Sequence, residues 1–367
     1  MKKNFLYLIT FLFLFTLVGC GKYDEKDILK DFEKKINNVN NYVLKGTLQI
    51  TNNDDTYQYD VEANYKKDNN YRVSLTNKAN NHEQIILKNK EGVYIVTPSL
   101  NKSFKFQSEW PNNNSQVYLL QSLLNDIKND EQRTFEQKDD KYIFTTKVNY
   151  PNDNELINQR ITMNKNLEIE SVEVINKDNI PKMVMKINSI DFKNNFDENF
   201  FELNSIIEEI NFDNKGNEQP DSDTNNTEKG NNSESSDVEE GLNDDSQSPT
   251  EYSSAIDDII YPLYIPVGTS LVEQEKISKT DGERVILTFD GEKPFLLVEE
   301  TSSITDEFSI IPTFGEPYLL VDTIGALTDN SITWSSNGMD YYIVSEVMSQ
   351  VELIEIASSI TTIPTIK

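Results

Sequence analysis

The chain has 367 residues, of which 26% are charged, with 62 acidic against 34 basic side chains and a net charge of −28. That length exceeds one typical core and predicts two domains. The acidity excludes an electrostatic grip on nucleic acid or on anionic lipid.

The N-terminus sets the compartment. Lys2 and Lys3 precede an uncharged apolar run over residues 5–18, shorter than the ~20 residues a membrane-crossing helix needs, and so of signal-peptide type. The run ends in Leu17-Val18-Gly19-Cys20, a lipobox-like arrangement in which small residues admit a signal peptidase and the thiol accepts a diacylglyceryl group. The alternative is an ordinary secretory signal with a chance cysteine. Cys20 is the single cysteine, so no disulfide competes for it. The reading is a lipoprotein signal peptide over 1–19 and a mature chain tethered by Cys20 to the extracytoplasmic membrane face. A diacylglycerol supplies two chains, enough for stable anchoring.

Beyond Gly21, the residues Ile28, Phe32, Ile36 and Val39 form one apolar stripe and predict a helix. From Tyr42 the period becomes two. Tyr42, Leu44, Gly46, Leu48 and Ile50 share a face, a turn follows at residues 52–55, and Tyr57, Tyr59, Val61, Ala63 and Tyr65 alternate with polar residues. That pattern predicts a half-buried antiparallel hairpin. Further strands are expected at 71–75, 84–87, 93–97 and 103–106. Residues 110–114 read as a loop, and Ser115 as the cap of a helix whose apolar face holds Leu119, Leu120, Leu123, Leu124 and Ile127. Strands resume at 133–136, 142–148, 159–163, 168–175 and 183–192. The expected product, closing near Phe212, is an unclosed, mostly antiparallel half β-barrel with two helices across its concave side.

Residues 214–251 carry 11 acidic and 2 basic side chains, with only Val238 and Leu242 as apolar ones, and read as an extended acidic linker. The segment 252–367, with 19 acidic and 5 basic side chains, predicts a second, small α+β domain. Its strands are expected at 263–266, 285–289, 295–299 and 341–344, with a turn at Ser336-Asn337-Gly338. Ser349 and Glu352 have capping-box spacing ahead of an apolar stripe of Leu353, Ile356, Ala357 and Ile360. The domains are therefore drawn as 20–213, 214–251 and 252–367, and the fold class as α+β, mainly antiparallel β.

Catalytic constellations do not assemble. His82 is the single histidine and falls at a turn, so neither a triad nor a histidine metal site forms around it. With Cys20 acylated, thiolate chemistry goes too. Asp221, Asp223 and Asn225 imitate the start of a calcium loop, but Asn226 and Asn232 stand where its glycine and bidentate carboxylate belong. The chain reads as a non-enzyme without a cofactor. Its positive signal is an aromatic face. Tyr57, Tyr59, Val61, Tyr65, Tyr71, Val73 and Leu75 point into the curved sheet, with Leu119 and its helix opposite. Either these residues line a cavity for a lipid or acyl chain, or the helices fill it and it is core. Tyr59 is expected to line the cavity and Leu123 to be core.

Residues 84–150, above all Gly92-Val-Tyr-Ile-Val-Thr-Pro-Ser-Leu-Asn-Lys-Ser-Phe-Lys-Phe-Gln-Ser-Glu-Trp-Pro and the Ser115–Leu123 stretch, resemble the YdcC-type sporulation lipoproteins of spore-forming Gram-positive bacteria. These are similar to the LolA/LppX lipoprotein-carrier fold, an unclosed barrel with helices across its mouth. The resemblance covers about residues 20–205, and residues 256–365 look like the domain of unknown function that often follows. It implies an extracytoplasmic lipoprotein connected with sporulation or germination, and carries over no catalytic residue. Two roles follow as expectations: a membrane-tethered module holding an apolar ligand, or a scaffold docking an envelope or spore-cortex protein or a signalling partner. A soluble carrier has no anchor, so the lipid on Cys20 speaks against shuttling between membranes.

Overall fold

The computed structural model describes residues 24–52, 55–150, 155–216, 255–256, 258–280, 282–302, 308–320 and 322–360. The expected signal peptide, Cys20, the calcium-like Asp221, Asp223 and Asn225, and all but the first residues of the expected linker lie outside them. The chain divides into two compact units: residues up to 91 with 108–195, and 92–107 with residues from 196 onward.

In the first unit, helix α1 (Glu25–Asn37) starts where Asp24 accepts from the N–H groups of Lys26 and Asp27, an N-cap that satisfies two orphan donors. Its stripe of Ile28, Phe32 and Ile36 is buried. The strands are β1 (Asn41–Asn52), β2 (Asp55–Lys66), β3 (Asn70–Asn77) and β4 (Glu83–Asn89), then, after helix α2 (Leu120–Asn129), β7 (Thr134–Lys138), β8 (Lys141–Lys147), β9 (Leu156–Met163), β10 (Ile169–Asn176) and β11 (Pro181–Asp191). Within this unit they run in the order β4-β3-β2-β1-β11-β10-β9-β8-β7, each pair antiparallel. The first and last strands of this order, β4 and β7, do not pair with each other, so the sheet is unclosed, as expected. One face carries a continuous apolar row, Phe144–Ile161–Val172–Met185–Leu48–Tyr59, through the cross-strand registers. Two residues from this row, the register of β1 on β11 shifts at a bulge between Lys45 and Gly46. There a Cβ on residue 46 would sit 2.3 Å from the Lys186 carbonyl oxygen and 2.5 Å from Met185 Cε, so the close strand approach needs glycine.

Helices α1 and α2 pack on each other and α2 packs on β8, while Arg133 pairs with Glu25 at 2.9 Å and Lys128 with Glu33. Helix α2 begins at Leu120, five residues after the predicted cap. Residues 116–119 form a turn first, with Leu119 N–H donating to the Gln116 carbonyl, and Leu119, the N-cap, offers no side-chain acceptor. Ser115 instead accepts from Asn149 N–H at 2.9 Å. His82 sits in the turn between β3 and β4.

The second unit contains β5 (Gly92–Thr97), β6 (Lys102–Phe106), helix α3 (Leu203–Gly216), strands β12 (Thr269–Lys279) to β19 (Met339–Val344) and helix α4 (Gln350–Ser358). Residues 92–107 group here because β15 (Ser309–Thr313) pairs with β6 in parallel, and because the buried Lys102 lies 3.5 Å from Asp340 and 3.3 Å from Ser302 Oγ. Ser302 and Ser335 also donate to that carboxylate. Seven further strands form an antiparallel sheet, with β13 at Gly282–Gly291, β14 at Phe295–Thr301, β16 at Glu316–Leu319, β17 at Ile324–Leu327 and β18 at Ser331–Ser336, in the order β12-β13-β14-β19-β18-β17-β16. The predicted turn at Asn337-Gly338 is present with both residues at positive φ, and Ser349 and Glu352 make the predicted capping box.

The strand expected at 263–266 is not formed. Pro262 and Pro266 remove ladder donors, and the N–H groups of Leu263 and Tyr264 are fixed instead on the Ser359 carbonyl and Oγ. Upstream, Ile256 is buried in the core and its N–H donates to Glu283 at 2.7 Å. Ile260 N–H donates to Glu299 at 3.2 Å. Glu299 is fully buried, and burial pushes its carboxyl up to about 7 against that one hydrogen bond.

Candidate functional site

The predicted residues converge because β2 and β3 are a tight antiparallel pair. Tyr65 faces Tyr71, Ala63 faces Val73 and Val61 faces Leu75, so every second side chain meets its partner on one face. Tyr59, Val61, Tyr65, Tyr71, Val73, Leu75 and Leu119 are all between 0% and 9% exposed. Tyr57, at the far end of β2 and opposite Ile50, is half-buried. Tyr59 and Leu123, expected to differ, are both buried.

A chain of rings organises the closed end. Tyr42 stacks on Tyr65 at 5.1 Å, Tyr65 leans on Tyr71 at 5.2 Å, and Tyr71 meets the edge of Trp110 at 5.8 Å. The Tyr42 hydroxyl accepts from Leu120 N–H at 3.3 Å and donates to Gln121 Oε1 at 3.0 Å. It therefore supplies the acceptor that the Leu119 N-cap lacks, tying α2 to β1. Burial pushes this phenol well above its ordinary range, with Tyr71 and Tyr65 adding to the shift, so it remains protonated and able to donate.

One open feature of this unit, among the described residues, is a cleft of about 660 Å³ along α2 and residues 147–149. Of the eight predicted lining residues only Tyr71 borders it. The rest of its wall is mostly carboxamides and carboxylates, among them Asn112, Gln121, Asn125, Asp126 and Asn129. Burial pushes the Asp126 carboxyl up to about 6, against hydrogen bonds from Ser115 and Gln159; the Gln159 Nε2 donor lies at 2.6 Å. Burial also raises Asp130, but N–H donation from Lys147 and Gln132 outweighs it and leaves that carboxyl below its ordinary value. Tyr42, Trp110, Gln121 and Asp126 were not singled out from sequence. The density of Asn and Gln between residues 112 and 132 was the available signal for the cleft.

Among the described residues no group of three or more His, Cys, Asp or Glu side chains could hold a metal ion, and no described helix is long and apolar enough to cross a membrane.

No family model matches the chain. "Sporulation protein YdcC" of Bacillus subtilis (strain 168) is 34% identical over 360 residues, covering 98% of this chain and 97% of that protein. Among solved structures, the MucA/MucB complex of Pseudomonas aeruginosa is similar at 9% identity, covering 89% of this chain and 97% of that one, with a TM-score of 0.30. A putative outer membrane lipoprotein-sorting protein domain from Vibrio parahaemolyticus is similar at 8% identity, covering 49% and 97%, with a TM-score of 0.27. The CwlD amidase of Clostridioides difficile in complex with the GerS lipoprotein is similar at 16% identity, covering 47% and 96%, with a TM-score of 0.22. At these TM-scores the structural likenesses carry no inference about ligand or partner.

Proposed function

This chain belongs to the family of the sporulation protein YdcC, and on that premise we propose that it is a non-catalytic lipoprotein which docks a protein partner at the extracytoplasmic membrane face. The anchor is the diacylglyceryl group on Cys20, supported by the lipobox-like Leu17-Val18-Gly19-Cys20. One observation carries the docking reading: the aromatic face is occupied by its own side chains, while the open cleft beside it is polar. An acyl chain gains its affinity from apolar surface removed from water, and the cleft offers little. Its amides and carboxylates instead suit the peptide groups and side chains of a protein segment.

A second reading, an apolar ligand, is favoured by one detail. At the far end of the sheet the cross-strand row Tyr57–Ile50–Met183 has half-buried members at both ends, where a chain could enter.

Native mass spectrometry of the unlipidated chain decides between them. The docking reading expects a bare polypeptide mass, and a co-purified lipid that Tyr57→Glu removes would establish the second. Palmitate labelling tests the anchor separately. Cys20→Ala abolishes the label if the reading holds, and undiminished label refutes it.

A further inference from the structure

Residues 259–272, Ile-Ile-Tyr-Pro-Leu-Tyr-Ile-Pro-Val-Gly-Thr-Ser-Leu-Val, contain no charged side chain, although 26% of the whole chain is charged. Such a run in a globular unit is ordinarily buried, and its first members are: Ile259 and Ile260 pack against the core. Pro262 and Pro266 are buried as well, while the other apolar side chains turn outward. Leu263 is 82% exposed and Val267 92% exposed, with Tyr261, Tyr264, Ile265 and Val272 also on the surface.

Exposed apolar residues on a loose loop would mean little. Here the backbone is pinned along its length. Leu263 and Tyr264 donate to Ser359, Thr269 N–H donates to the Pro266 carbonyl, and Glu292 N–H to the Gly268 carbonyl. Pro262 and Pro266 restrict it further. Gly268, at a φ of +77°, makes the turn into β12. The Tyr261 hydroxyl is held by Gln274 Oε1 at 2.7 Å. The apolar side chains are thus presented by a preformed ledge.

We propose that this ledge inserts into the interfacial region of a lipid bilayer, as a second contact beside the lipid anchor. Its chemistry fits that environment: the aliphatic Leu263 and Val267 protrude furthest, and Tyr261 and Tyr264 flank them with apolar rings and polar tips, the arrangement tyrosine adopts at headgroup depth. Residues 259–272 bring no charged group of their own whose desolvation would oppose insertion; the carboxylates of Glu355, bonded to Tyr264, and Glu292, beside Gly268, mark the margin that stays in water. The surrounding segment 252–367 carries 19 acidic against 5 basic side chains, so the matching surface is zwitterionic rather than anionic lipid. The proposal takes from the tethered reading only that a membrane is within reach.

Flotation with phosphatidylcholine vesicles tests it, using the unlipidated chain from Gly21 onward, which keeps every described residue. The chain floats with the vesicles, and Leu263→Asp combined with Val267→Asp lowers the bound fraction about tenfold or more. Enrichment in phosphatidylglycerol weakens binding. Both positions are exposed, so Trp334 fluorescence shows the double variant folded. A wild-type chain that stays soluble, or a double variant that floats equally well, overturns the proposal and leaves the ledge to a protein partner. Loss of the Cys20 anchor reading would not alter either result.

Discussion

The two units bury their sheets differently, and the difference decides which parts of each tolerate change. In the first unit, two helices and a chain of aromatic rings close one face of long strands, and alternate residues of β1, β2, β3, β8 and β9 are mostly dry, the short β7 and the long β11 excepted. In the second, the edge strand β12 is exposed over nearly all its length, whereas β17 (Ile324–Leu327) is buried at every position. A sheet closed on one side is held by its apolar rows. A sheet with a wet ribbon at one edge and a dry block at the other depends more on specific polar ties such as Lys102–Asp340 and Glu299–Ile260. The chain has two tryptophans, Trp110 in the first unit and Trp334 in the second, both buried. Single-tryptophan variants therefore report urea unfolding of each unit separately.

The largest effect expected from breaking a polar tie is at Lys102. Lys102→Ala empties the space of a buried side chain and leaves the half-exposed Asp340 carboxylate with only its two serine donors, and costs about 2–3 kcal/mol. The shift appears in Trp334 fluorescence; a shift confined to Trp110 would show that residues 92–107 belong with the other unit. A somewhat smaller loss follows at the bulge of the first unit. Gly46→Ala drives a methyl into the Lys186 carbonyl and the Met185 methyl, costing about 1–3 kcal/mol, and here Trp110 reports it. An unchanged midpoint would mean that β1 and β11 separate freely at the bulge.

Acidity sharpens the comparison further. Burial raises Asp126 from an ordinary 3.8 to about 6 and Glu299 from 4.5 to about 7. Both hold their protons more tightly folded than unfolded, so each contributes a loss of stability as pH rises through this window. The loss is complete near pH 6 for the first unit and near pH 7 for the second. Asp126→Asn flattens the Trp110 profile alone and Glu299→Gln the Trp334 profile alone; an identical slope in either variant refutes the assignment. The smallest effect is on the ribbon. Val272→Asp on β12, 59% exposed, changes the Trp334 midpoint by no more than about 0.5 kcal/mol, and a larger loss would mean that the ribbon is covered.

The same contrast explains what could be read beforehand. The strands of the first unit were legible because one wet and one dry face impose a period of two on residues such as Tyr57 to Tyr65. β12 shows no alternation because both its faces are wet, and β17 and β18 show none because they are short and mostly buried on both faces. The capping box at Ser349 was legible because its two partners are three residues apart in sequence. The acceptor that starts α2 was not, since Tyr42 reaches Leu120 across 78 positions. Helix α3 has a local signal of its own, Leu203, Ile206 and Ile210 at helical spacing. For the candidate site, the aromatic face was visible in the sequence, but whether helices filled it depended on packing that no local pattern encodes.

The central claim is that this face is a closed core and that the chain works by docking. Tyr59→Glu tests it most directly, followed by Trp110 unfolding together with titration of a fluorescent fatty acid. The account predicts that the wild-type chain binds no probe and that Tyr59→Glu unfolds the first unit, as Leu123→Asp does, because a buried unpaired carboxylate costs several kcal/mol. A wild-type chain that binds the fatty acid, with a Tyr59→Glu variant that melts normally but no longer binds it, would contradict the account.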